Sequence, residues 1–273
     1  DPLQHFMWLG WRLARDPGPN FHVRDYLRRV PEARASQVNP LVFHLKHRNL
    51  RQSAEASFQV RPAAMPKVNG KRFLLCGHPA GDMLFGGERS FLDIVKALAA
   101  LNLDVYVTLP SLQNREYVKA IESHVVGVIK VRPHGWRHGQ DNLALVSLFE
   151  RIIRSLKIDL VYVNTIMLPA PQLAAQACDV KTVCHVRELI EHDQHLIERI
   201  ALPAQEIIAN VIERSTAIIA NSRATAAAFH CPQVFLVPNT IDPQSFDLPN
   251  NIDGAIKFGI ISSNLPKKGI SHF

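Results

Sequence analysis

Residues 72–101 read RFLLCGHPAGDMLFGGERSFLDIVKALAAL, and their order of apolar run, glycine-bearing turn and helical stripe decides the fold. Phe73, Leu74, Leu75 and Cys76 form a short apolar run bounded by Gly77 and Pro79, the pattern of a strand buried on both faces. Phe91, Ile94, Val95, Leu98 and Leu101 then recur at helical spacing, leaving Arg89, Asp93 and Lys96 on the opposite side. Gly86 and Gly87 stand at the start of that helix, where the first amides lack intrahelical partners and the dipole attracts anions. The pair either lets a ligand approach bare backbone or simply turns the chain. It is not a dinucleotide fingerprint: no Gly-x-Gly-x-x-Gly follows the strand, and Asp104 begins the next strand rather than ending it. A nicotinamide enzyme is thereby disfavoured.

Downstream, apolar runs alternate with helical patterns: residues 105–107, 125–131, 160–163, 182–184, 218–220 and 234–237, with Leu145, Phe149, Ile152 and Leu156 along one intervening helix. Strands this apolar imply a parallel sheet covered on both sides, an α/β architecture whose ligands gather at the C-terminal strand ends. Polar residues accumulate at those ends: His78; Asn164 and Thr165; His185, Arg187 and Glu188; Asn221 and Ser222. In a parallel sheet these converge with Gly86 and Gly87 on one rim, as an active-site wall would.

The first sixty or so residues differ. Asp1-Pro2-Leu3-Gln4-His5-Phe6 is echoed by Asn39-Pro40-Leu41-Val42-Phe43-His44, and each Asp/Asn-Pro step reads as an N-cap followed by proline at the first helical position. Residues 1–62 are therefore expected to form a helical leader, with an Arg-, Ala- and Pro-rich link over about 51–70 joining it to a Rossmann-like domain at 71–238. After residue 250 a fresh apolar strand and the loop Ser262-Ser263-Asn264-Leu265-Pro266-Lys267-Lys268-Gly269 read as the start of a second α/β domain, so 239–273 is expected to be a linker and a truncated beginning of that domain.

With 273 residues, 47% of them hydrophobic, the chain has enough apolar material for a full α/β core. A formal charge of +7 favours anionic partners: nucleotide phosphates, nucleic acid or an anionic membrane face. No long Lys/Arg block singles out nucleic acid, which is not expected as a partner. The four cysteines form no C-x-x-C pair and read as buried free thiols in a reducing, cytoplasmic compartment. The thirteen histidines show no ligand spacing, so no metal is expected.

Together, Gly86-Gly87-Glu88-Arg89, the Val183-Cys184-His185 strand end, Ile218-Ile219-Ala220-Asn221-Ser222, Val237-Pro238-Asn239-Thr240-Ile241-Asp242 and Lys267-Lys268-Gly269 resemble the family 4 retaining glycosyltransferases of GT-B fold. The leader resembles the repeat found beside glycosyltransferases of bacterial surface-polysaccharide clusters. The resemblance implies an acceptor-side Rossmann-like domain, a donor domain beyond it, and transfer in the cleft between them with retention at the anomeric carbon. It places Gly86 and Gly87 near donor phosphates or acceptor, His185 at the reaction centre, and Lys268 on the donor diphosphate. Asn164, Arg187, Glu188, Asn221 and Ser222 would line the substrate site. No cofactor is implied beyond a nucleotide-sugar as donor substrate; the acceptor would be a glycan or a lipid-linked glycan, with peripheral contact at an anionic inner membrane. Two departures stand out: Ser263 occupies the place of an arginine common in the family, and its paired C-terminal glutamates have no counterpart. The chain alone is thus not expected to be a complete catalyst. A non-catalytic carbohydrate-binding or scaffolding module remains open, and a GT-B sugar-nucleotide epimerase is disfavoured by the leader and the Pro-Asn-Thr-Ile-Asp linker.

Overall fold

A computed structural model of the chain describes residues 2–18, 21, 23–53, 58, 60–65, 70–78, 80–131 and 143–240. Eight strands form one sheet: β1 (Val60–Pro62), β2 (Arg72–Cys76), β3 (Asp104–Leu109), β4 (Gly127–Lys130), β5 (Leu160–Val163), β6 (Lys181–Val186), β7 (Ala217–Ala220) and β8 (Val234–Leu236). Their order is β1-β4-β3-β2-β5-β6-β7-β8. All neighbours pair in parallel except β1, which runs antiparallel to β4 with Val60 opposite Ile129. This is the Rossmann-like α/β sheet expected from the alternation. The chain winds outward from β2 through β3 to β4, then returns to add β5 on the other side of β2. The order therefore reverses between β2 and β5, which is where doubly wound sheets bind ligands.

The apolar strands are explained by their cover. Leu74, Cys76, Val161 and Val163 face Phe149, Ile152 and Ile153 of the helix Leu143–Leu156 and Ala174 of Pro169–Ala177. On the other face, Leu75, Val105 and Val107 pack beneath Phe91 and Val95 of Gly86–Ala100 and Tyr117 and Ile121 of Arg115–Glu122. A third cluster joins Cys184, Val186 and Ile218 to Ile207 and Val211 of Ala204–Arg214. Each large side chain buried in this way stabilises the fold by roughly 1.5–3 kcal/mol.

The leader carries the helix Val23–Arg29, the short helix Pro31–Ala35 and the longer Pro40–Ser53. Asn39 caps the last as its Asn-Pro step predicts, its Oδ1 accepting from the Leu41 amide at 2.9 Å. Tyr26, Val30, Ala33 and Phe43 make a small separate core, and Pro40–Ser53 also packs against Leu143–Leu156. The helices thus pack both on one another and on the domain that follows.

One expectation is corrected. The stretch over 51–70 is not wholly a link, because Val60–Pro62 adds an edge strand to β4. Its proline sits where edge strands tolerate a missing amide. The cysteines are free; burial pushes the Cys76 thiol up to about 12 and raises that of Cys184, while Cys178 and Cys231 are only half-buried. Lys268 and the expected second strand and loop lie outside the described residues.

Candidate functional site

The C-terminal ends of β2, β5 and β6 lead straight into the residues that gather at the switch point. Parallel pairing sets Val163 beside both Cys76 and Cys184, so the segments that follow, carrying His78, Asn164 and Arg187, emerge side by side. Arg187 is the hub. Its Nη1 donates to Ser90 Oγ at 2.8 Å and to Asn239 Oδ1 at 3.4 Å, and its Nη2 donates to Asn164 Oδ1 at 3.1 Å. It thereby ties the ends of two strands to the first turns of Gly86–Ala100 and to the start of the Pro-Asn-Thr segment. Burial lowers its pKa, with Tyr162 and Glu188 opposing the shift, and its high intrinsic basicity keeps it a cation.

His185, 4% exposed, shares a hydrogen bond between its Nδ1 and the Tyr162 hydroxyl at 2.5 Å, and Arg187 Nη2 approaches the same nitrogen at 3.3 Å. Burial, and then the Arg187 charge, push its pKa down to about 3. Burial likewise raises the Tyr162 hydroxyl, keeping it protonated and able to donate. Glu188 is committed within the rim, accepting from Thr165 Oγ1 and from the Arg187 amide at 2.9 Å.

The second half of the rim is the turn before Gly86–Ala100. Glu88 is buried, accepts from the Phe85 amide at 2.9 Å and pairs with His78 Nε2 at 3.2 Å, so a carboxylate sits within the positive first turn. Asn114 caps the helix Arg115–Glu122 through the Tyr117 amide and donates to the Gly81 carbonyl at 2.7 Å, which holds the loop after β2. Gly86 has open space around it. A Cβ on Gly87 would instead meet His78 Nε2 at 2.9 Å. Packing by His78 thus gives Gly87 a local reason to be glycine, and the bare backbone open to an incoming group is that of Gly86.

His185, Arg187, Asn164 and Glu188 therefore form one connected group that includes a serine of the Gly86–Ala100 helix. Asn221 and Ser222 do not join it by hydrogen bonds: Ser222 Oγ accepts from the Thr225 amide at 3.1 Å, and Asn221 Oδ1 accepts from Thr225 Oγ1 at 3.0 Å, so both serve their own turn. The sequence places His78 on the rim but does not reveal its pairing with Glu88, and it does not mark Tyr162, Ser90 or Asn239 as members of the rim. Tyr162 lies within an apolar strand run and reads as core; the available signal is that a buried tyrosine hydroxyl needs a partner.

Three buried nitrogens of the network have no partner among the described residues: His185 Nε2, Asn164 Nδ2 and Arg187 Nε. The amide and guanidinium nitrogens can only donate. Buried donors of this kind call for acceptor oxygens, which the described residues around them do not provide. No group of three His, Cys, Asp or Glu is placed to hold a metal ion among the described residues.

Sheet order and switch point define a Rossmann-like α/β domain. Residues 86–245, more than half of the chain, match the family model for Glycosyltransferase Family 4, and the chain belongs to that family. No curated protein matches it. Among solved structures it is similar to MurG of Acinetobacter baumannii, at 12% identity and a TM-score of 0.43 over 63% of this chain and 47% of that one. It is also similar to a UDP-N-acetylglucosamine 2-epimerase, at 11% identity and a TM-score of 0.45 over 63% and 49%. For UGT89C1 of Arabidopsis thaliana complexed with UDP the values are 14% and 0.43 over 65% and 55%. The chain spans about half the length of these structures.

Proposed function

We propose that the chain is the acceptor-side domain of a retaining glycosyltransferase that uses a nucleotide-sugar in polysaccharide or glycan biosynthesis, with the donor-binding domain lying downstream. The single observation that carries this reading is the donor-rich rim at the switch point, in a chain of glycosyltransferase family 4. Neutral His185 and Asn164 offer N–H groups to sugar hydroxyls, and the Arg187 cation holds the rim together while stabilising negative charge. The open Gly86 turn at the start of a helix suits a phosphate or an acceptor hydroxyl. Lys268 would contact the departing diphosphate. The acceptor is a glycan or lipid-linked glycan reached from the cytoplasm, and the +7 charge supports peripheral contact with an anionic membrane; among the described residues no helix is long and apolar enough to cross one.

The test is release of nucleotide by the complete reading frame supplied with a panel of nucleotide-sugars and oligosaccharide acceptors, with the anomeric configuration of the product read by NMR. The reading requires acceptor-dependent turnover and an unchanged anomeric configuration. Donor binding without turnover on any acceptor would favour a carbohydrate-binding or scaffolding module.

A further inference from the structure

The contact between His185 Nδ1 and Arg187 carries a consequence for the protonation of the ring. A guanidinium has only donors, so the nitrogen that faces it at 3.3 Å must present a lone pair rather than a proton. Tyr162 Oη, 2.5 Å from the same nitrogen, then points its proton inward. The two rings meet edge to face with centroids 6.1 Å apart, so Tyr162 fixes both the rotation of the imidazole and the end that accepts. Glu188, the nearby carboxylate that could favour an imidazolium, is already held by Thr165 and the Arg187 amide. Cys184, on the neighbouring position of the strand, is a buried neutral thiol.

We propose that Tyr162 is a positioning residue that, with Arg187, locks His185 as the neutral tautomer protonated on Nε2, so that His185 serves the site as a fixed hydrogen-bond donor and not as a proton-transfer group. Only the use of that donor on a sugar hydroxyl rests on the proposed glycosyltransferase reading; the tautomer stands on the geometry alone. Nε2 is the ring nitrogen left buried and unpartnered, which is where a donor awaiting an acceptor belongs. The same arrangement excludes His185 as a general base, because accepting a further proton would set an imidazolium against the Arg187 cation.

Two measurements separate the halves of the proposal. In the complete protein with 15N-labelled histidine, long-range proton–nitrogen correlation spectra identify the tautomer of each ring, with His185→Gln supplying the assignment. The expected spectrum shows an unprotonated, hydrogen-bonded Nδ1 and a protonated Nε2 that stay unchanged between about pH 8 and about pH 5. In Tyr162→Phe, which removes only the hydroxyl, the Nδ1 resonance should move toward that of a nitrogen without a hydrogen bond. A protonated Nδ1 in the wild type, a ring that titrates across that range, or an Nδ1 resonance indifferent to Tyr162→Phe overturns the positioning role. The second measurement compares transfer rates of His185→Gln, whose amide reaches the place of Nε2, and His185→Asn, whose amide reaches only that of Nδ1. Glutamine should retain at least about tenfold more kcat than asparagine; equal loss in both would reject the donor role while leaving the tautomer assignment intact.

Discussion

Replacing Gly87 with alanine tests how the rim is packed. The new Cβ would lie 2.9 Å from His78 Nε2 and 3.0 Å from its Cε1, too close for ordinary contact, so the imidazole must shift. The shift lengthens its 3.2 Å pairing with buried Glu88. A partly buried pair of this kind contributes about 1 kcal/mol. Alanine in place of glycine at a helical position with ordinary φ returns up to about 1 kcal/mol. The two effects nearly cancel, so Gly87→Ala should stay within about 1 kcal/mol of wild type. Gly86→Ala meets nothing within 4 Å and keeps only the gain. Urea denaturation should therefore find it more stable than Gly87→Ala by about 1 kcal/mol. In a His78→Ala background the obstacle is gone, and Gly87→Ala should become stabilising by a similar amount, a coupling of about 1 kcal/mol. If Gly87→Ala has the same effect in both backgrounds, packing against His78 is not the reason for the glycine, and the case for ligand approach at Gly87 itself is restored.

Two other outcomes follow from the same geometry. Asn114→Ala removes both the helix cap on Tyr117 and the tether to the Gly81 carbonyl, and thermal denaturation should show a loss of about 1–2 kcal/mol; no measurable loss would mean that the tether and cap are replaced by solvent. His185 is held neutral with its pKa depressed to about 3 from 6.5, so the stability it confers is complete above its unfolded value and is lost as pH falls from 6.5 toward 3. The slope is at most about 1.4 kcal/mol per pH unit, and His185→Gln should remove it; urea titrations of both proteins at neutral and acid pH that run parallel would contradict this assignment.

How far the sequence could be read depends on the kind of order involved. Strands β2 to β7 announce themselves because strands covered on both faces are apolar nearly throughout, as Leu74, Val107 and Val161 show, whereas the edge strand β8 is equally apolar yet leaves Phe235 and Leu236 exposed. The helix Gly86–Ala100 is equally plain, since Phe91 and Val95 keep the 3.6-residue period. Val60–Pro62 escaped because a three-residue edge strand containing proline has no periodic signal, and only its pairing with β4 makes it a strand. At the rim, His185, Arg187 and Asn164 were legible from their position after buried strands. The partnership of Arg187 with Ser90, 97 positions away, is set by strand order and could not be read from local spacing. Asn221 and Ser222 show the converse: a polar pair after a strand is ambiguous until hydrogen bonds are seen, and here they serve the local turn.

The most direct test of the account is nucleotide-sugar turnover by the complete protein carrying His185→Ala, measured beside its melting temperature. The ring is buried and hydrogen-bonds Tyr162, so some stability is lost, yet the sheet and its three apolar clusters are untouched. On the proposed function His185 is a donor at the reaction centre, so its removal should cut kcat by about 100-fold or more while the protein still unfolds in one cooperative transition well above assay temperature. Normal turnover per folded molecule, with only the melting temperature reduced, would show that the network at the ends of β5 and β6 is structural and that transfer, if it occurs, is centred elsewhere.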